Sequence, residues 1–153
     1  MSSWPHHSRL PLAALPNAPY WARRHTEQVL AVWGLGFLMM HVQVVVTELV
    51  TNAVRFTGRL DATAQEEYAI RPQGVSYQEV SAVGTVHLHL NYGPGRLLVE
   101  VWDESKEAPL PQIPDFVSER GRGLYLVSAF CEQWGWYPSE GGGKVVWAEM
   151  KTK

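Results

Sequence analysis

The sequence predicts an α/β (α+β) fold, a two-layer sandwich in which helices cover one face of a mostly antiparallel sheet. Three observations carry that class. A long helix-periodic segment ends near Phe56, two alternating segments follow as a hairpin, and a helical run opening at Gly121 leads into two further strand-like segments. With 153 residues, 46% of them apolar, the chain can bury one core, and one domain is expected.

Prolines at 5, 11, 16 and 19 forbid a helix across residues 1–19 and leave at most a short edge strand near Arg9–Leu12. Asn17 as N-cap and Pro19 in the first turn start a helix that runs to about Trp33, with Trp21, Val29 and Leu30 toward its buried side. Gly34 and Gly36 end it. From Phe37 to Phe56, Val42, Val45, Val46, Leu49, Ala53 and Phe56 recur at helical spacing and define one core stripe, stopped by Gly58. The polar stretch 59–84 reads as an insertion, and its middle, Tyr68–Tyr77, alternates about a proline turn and fits either a hairpin or a loop. Thr85–Leu90 and Arg96–Trp102, joined by Asn91–Gly95, form the hairpin. Prolines at 109, 111 and 114 make 106–120 a loop. A helix then runs from Gly121 to Phe130, and strands at about Cys131–Tyr137 and Lys144–Met150 flank the turn Ser139–Gly143.

Composition narrows the function classes. The formal charge is −2 and the basic residues are scattered, so no direct nucleic-acid partner is expected. Cys131 is the only cysteine, which rules out an internal disulfide framework, and no Cys or His pair has zinc-site spacing. The apolar stretch Ala31–Met40 is about half the ~20 residues that span a bilayer, and no membrane association is expected. Met1–His7 has neither the basic nor the apolar region of an export signal, which predicts a cytoplasmic location.

Three short constellations bear on chemistry. Glu48 and Asn52 are one helical turn apart, with Arg55 continuing the line; alone, that is what the solvated face of any amphipathic helix shows. Asp103 follows the apolar strand Val99–Trp102, where a lone aspartate reads first as a turn-stabilising residue. Gly121-Arg122-Gly123 precedes a helix, where free N–H groups and the helix dipole can face a phosphate, or where glycine merely eases the bend.

In order and spacing, Glu48-Leu-Val-Thr-Asn52, Val101-Trp-Asp103-Glu-Ser105, Gly121-Arg-Gly123-Leu124 and Gly142-Gly-Lys144-Val145 together resemble one superfamily. It is the ATP-binding superfamily that includes DNA gyrase, the Hsp90 chaperone, histidine kinases and the MutL repair protein. Within it, the chain looks most like the small anti-sigma-factor serine/threonine kinases, from about Ala22 to Met150 apart from the insertion. The resemblance implies a Bergerat-type fold with a mixed sheet, binding ATP and Mg²⁺. It implies Asn52 as the Mg²⁺ ligand, Glu48 as the general base and Asp103 as the acceptor for the adenine amino group. Gly121 and Gly123 would let the lid 106–120 close over the phosphates, with Leu124 completing that motif and Arg120 or Arg122 as charge partners. Ser105 and Glu107 stand where relatives commonly have glycines. Val145 stands where they have a threonine near the adenine, a lost hydroxyl worth ~1 kcal/mol, or roughly five- to tenfold in affinity.

The function implied is a regulatory kinase that phosphorylates an anti-sigma antagonist, sequesters a sigma factor and forms a homodimer. The alternative is a non-catalytic partner-binding module whose nucleotide site is regulatory, structural or lost. His25 reads as an ordinary surface histidine, Trp102, Trp134, Trp136 and Trp147 as structural aromatics, and Cys131 as a buried, inert thiol.

Overall fold

A computed structural model describes residues 4–57, 83–105 and 122–153. Nearly all of the 59–84 insertion, the 106–120 loop and Gly121 therefore lie outside the described residues. Five strands form one sheet: β1 (His6–Ala13), β2 (Thr85–Gly93), β3 (Arg96–Asp103), β4 (Gln133–Pro138) and β5 (Lys144–Lys151), in the order β1-β2-β3-β5-β4. Every described pairing is antiparallel, so the parallel component implied by the resemblance is not among these strands.

β1 is longer than the sequence predicts. It pairs with β2 from His6↔Tyr92 to Ala13↔Thr85, straight through Pro11. Pro11 is tolerated because β1 is an edge strand, where a missing N–H need not break a ladder bond. Helix α1 (Ala18–Val32) begins after Asn17 with Pro19 in its first turn, and the Asn17 side chain makes no capping hydrogen bond. Ala18, Ala22, Thr26 and Leu30, four residues apart, form its buried line, while Trp21 and Val29 are only partly covered. The Thr26 hydroxyl is satisfied by donating to the Ala22 carbonyl at 2.7 Å. The helix ends in a Schellman motif: Gly34 takes φ +73°, its N–H reaches Ala31 O, and Leu35 N–H reaches Leu30 O.

A 3₁₀ turn, Gly36–Leu38, leads into α2 (Met39–Thr57), which thus starts slightly later than expected. Val42, Val45, Val46, Leu49, Val50 and Ala53 are buried on its sheet-facing stripe. α2 is the central helix: it packs on β2, β3 and β5, with α1 on one side and α3 (Arg122–Phe130) on the other. The 20-residue stretch Gly36–Arg55, mean hydropathy 1.5, has the length and apolarity of a membrane span, which the short-stretch reading missed. Its buried stripe is spent on the sheet, as in any core helix.

Strand alternation sorts the sheet residues cleanly. Leu97, Val99, Val101 and Asp103 of β3, and Lys144, Val146, Ala148 and Met150 of β5, lie on the helix-covered face. Trp102, Val145 and Trp147 point to the opposite face.

Candidate functional site

The end of β3, the start of β5 and the C-terminal end of α2 converge. Glu104 N–H donates to Thr57 Oγ1 at 3.1 Å, tying the last turn of α2 to the residue after β3. Across the sheet, Asp103 and Lys144 are direct register partners. Lys144 Nζ donates to Asp103 Oδ1 at 2.9 Å, with each side chain 1% exposed, and Ser105 N–H donates to the same oxygen at 2.8 Å. Burial raises the Asp103 carboxyl pKa. The Lys144 hydrogen bond and charge and the Ser105 N–H oppose that effect, and the Glu104 charge adds to it.

The turn before β5 delivers Lys144. Ser139 N–H bonds Gly143 O, Gly142 N–H bonds Ser139 O, and Trp102 Nε1 donates to Gly142 O at 3.0 Å. Gly143, at φ +77°, runs so close to β3 that a Cβ there would collide with the Asp103 carbonyl oxygen.

Glu48 and Asn52 are partly buried on α2, with Arg55 exposed. At 1.5 Å rise per residue, Asn52 lies roughly 7–8 Å and Glu48 roughly 13 Å along the axis from Thr57. Asn52 is thus near the Asp103 end and Glu48 a turn farther. Thr47, beside Glu48, accepts from Arg23 Nη1 of α1 at 3.3 Å. Ser105 acts on Asp103 through its backbone. α3 opens at Arg122, with Gly123 in its first turn, while the Arg122 side chain lies outside the description. Leu124 is 4% exposed and belongs to the hydrophobic core, so its side chain packs α3 inward.

Val145 is the register partner of Trp102 and Tyr137, on the opposite face from Asp103, so its side chain does not stand beside that carboxylate. Lys144 does, and the sequence reading gave it no role. The available signal was strand parity: the cross-strand partner of a core-facing Asp103 must itself face the core. Apolar residues at 145, 146, 147 and 148 satisfy both parities, which hid the register.

His25 is also corrected, from a surface residue to a partly buried one: its Nε2 lies 2.6 Å from Ser8 Oγ, linking α1 to β1, and burial lowers its pKa. Cys131 is partly buried, and burial, followed by the charge of Glu132, raises its pKa, which disfavours the thiolate. An open depression of about 350 Å³ between Leu38, His41, Phe130 and Met150 lies at the N-terminal end of α2, away from Asp103. Among the described residues, no group of three or more His, Cys, Asp or Glu could hold a metal ion. Mg²⁺ bound by one amide oxygen, phosphates and water needs no such cage, and Asn52 suits that donor set.

Residues 12–150 match the histidine kinase-like ATPase domain, and the chain belongs to that family. The family places it in the ATP-binding superfamily of gyrase, Hsp90, histidine kinases and MutL, and the antiparallel sheet with helices on one face agrees with that fold. No curated protein matches it.

Proposed function

We propose that this chain is an ATP- and Mg²⁺-binding regulatory serine/threonine kinase of the anti-sigma-factor type. The observation that carries the reading is Asp103: a carboxylate fixed at the end of β3 by two donors on Oδ1, beside the end of the helix that bears Asn52 and Glu48. An ionised carboxylate only accepts hydrogen bonds, and the adenine amino group only donates, so the pair match. Guanine offers a carbonyl at that position and does not.

In the kinase reading, Asn52 would hold Mg²⁺, which would supply charge neutralisation at the phosphates when bound. The backbone N–H groups at the start of α3, with Gly121 and Gly123, cradle phosphate oxygens, helped by Arg120 or Arg122. Glu48 accepts the proton of a serine hydroxyl on the antagonist protein. That oxygen bonds to the γ-phosphorus as the bond to the β–γ bridging oxygen breaks, leaving phosphoserine and ADP. The protein works in the cytoplasm as a homodimer and sequesters a sigma factor.

A second reading, a non-catalytic module whose nucleotide site is regulatory, structural or lost, is favoured by the burial of Asp103 and by two residues after it. Asp103 is 1% exposed, so a base reaches it only after covering atoms move. Ser105 and Glu107 in place of glycines favour it too.

Thermal unfolding with Mg-ATP and Mg-GTP separates the readings. A ligand at a hundred times its dissociation constant stabilises by about 2.7 kcal/mol. In a domain of this size that raises the midpoint by roughly 5–10 °C. The expected result is a rise with ATP, little with GTP and none in Asp103→Asn. Glu48→Ala should keep the ATP shift and lose phosphotransfer to an antagonist protein; if both are unchanged, the kinase reading fails.

A further inference from the structure

A fully buried lysine is rare because its charge must be matched by a partner in the interior. Lys144 is 0% exposed, and the fold goes to some length to bring it to Asp103. The β3–β5 register sets the two directly opposite, Trp102 clamps the preceding turn through Gly142 O, and glycine at 143 permits an approach that no other residue could make. Lys144 Nζ and Ser105 N–H then converge on the same carboxylate oxygen, at 2.9 and 2.8 Å.

We propose that Lys144 is a positioning residue for adenine recognition: by engaging Oδ1 of Asp103 from across the sheet, its ammonium leaves Oδ2 as the oxygen that accepts from the exocyclic amine of a bound adenine. The proposal rests on the ATP-binding reading above. Two donors on one oxygen fix the plane of the carboxylate as well as its charge. A lone buried aspartate would take up a proton, and a carboxylic O–H facing an amine sets donor against donor. Among the described residues, the charged groups acting on Asp103 are Lys144 from β5, which favours the ionised form, and the neighbouring Glu104, which opposes it; Thr57 of α2 is tied to this strand end and does not titrate. Among the described residues, Lys144 is therefore the cation that keeps Asp103 an acceptor.

The test is ATP affinity by calorimetry between pH 6 and 9 for wild type, Lys144→Met and Lys144→Arg, with the Asp103 carboxyl carbon followed by NMR. Lys144→Met should bind ATP roughly tenfold or more weakly at pH 7, the loss expected for a hydrogen bond to a charged group, and should recover as pH rises. Its Asp103 resonance should titrate at higher pH than in wild type. Lys144→Arg should remain within about threefold of wild type, because a cation is restored. A purely structural lysine would give a pH-independent loss, and that outcome overturns the proposal. So does equal ATP binding by wild type and Lys144→Met at every pH, which leaves the ATP reading intact. No ATP binding by wild type removes both. Should Lys144→Met not fold, the Lys144 ammonium resonance of the wild type decides: it should stay protected from solvent exchange when ATP binds, and its release would overturn the proposal.

Discussion

Three consecutive glycines before β5 look alike in sequence and differ in what their backbone requires. Gly141 has an ordinary φ and open space around it, Gly142 has φ +104° and open space, and Gly143 has φ +77° and the Asp103 carbonyl where a Cβ would be. Alanine substitutions should therefore destabilise in the order Gly143, Gly142, Gly141. The first should exceed about 3 kcal/mol, the second lie near 1–2 kcal/mol and the third be close to zero. Urea unfolding measures the series, and a Gly143→Ala protein as stable as Gly141→Ala would contradict the geometry. The same residues show what was legible at this scale. Asp103 stood out because it follows an apolar strand, and its buried state could be anticipated from strand parity. Lys144 could not be assigned, because the run Val145–Ala148 fits either face and only pairing with β3 chooses between them.

At the level of elements, α2 was readable because its stripe obeys one period over five turns, and β2 with β3 because a short polar link separates two alternating runs. β1 was underestimated because proline bars a helix but does not bar an edge strand. That strand joins α1 through Ser8 and His25, and it joins β2 beside His87 and His89. All three histidines have pKa values lowered from 6.5, each first by burial; His89 is also pulled up by Glu100 and down by Arg9 and His87. The unfolded chain then takes up protons near pH 6.5 while the folded protein resists until lower pH. Stability contributed by these groups is present above 6.5 and lost as pH falls through the folded values. The urea midpoint should be lower at pH 5.5 than at pH 7.5, and His25→Gln with His89→Gln should flatten that difference. A midpoint that rises on acidification would mean the histidines gain protons in the folded protein instead.

For the whole molecule, the local hairpins were visible in the sequence, but the strand order was not. β1–β2 and β3–β5 are long-range pairings, and no local period specifies which strand lies beside which. The second of these creates the Asp103–Lys144 pair, so the site depends on topology as much as on motif. The first raises a question of scaffold against site. The family match begins at residue 12, so most of β1 precedes it, although β1 supplies a full strand and buries Leu12 against the core. Removing residues 1–13 would leave the β2 edge from Thr85 to Tyr92 unpaired and a template for aggregation. It would also remove the partner of His25. The truncated protein should lose its cooperative melt by circular dichroism and scatter light on warming, whereas Leu12→Ala in the intact chain should cost about 2–5 kcal/mol and keep a single transition. Asp103 and Lys144 sit on β3 and β5, beyond β2, so Leu12→Ala should retain the ATP-induced shift from its lower starting midpoint. A truncated chain that melts cooperatively near the intact midpoint would make β1 an appendage, and one that melts so but no longer responds to ATP would place part of the nucleotide site on the first strand.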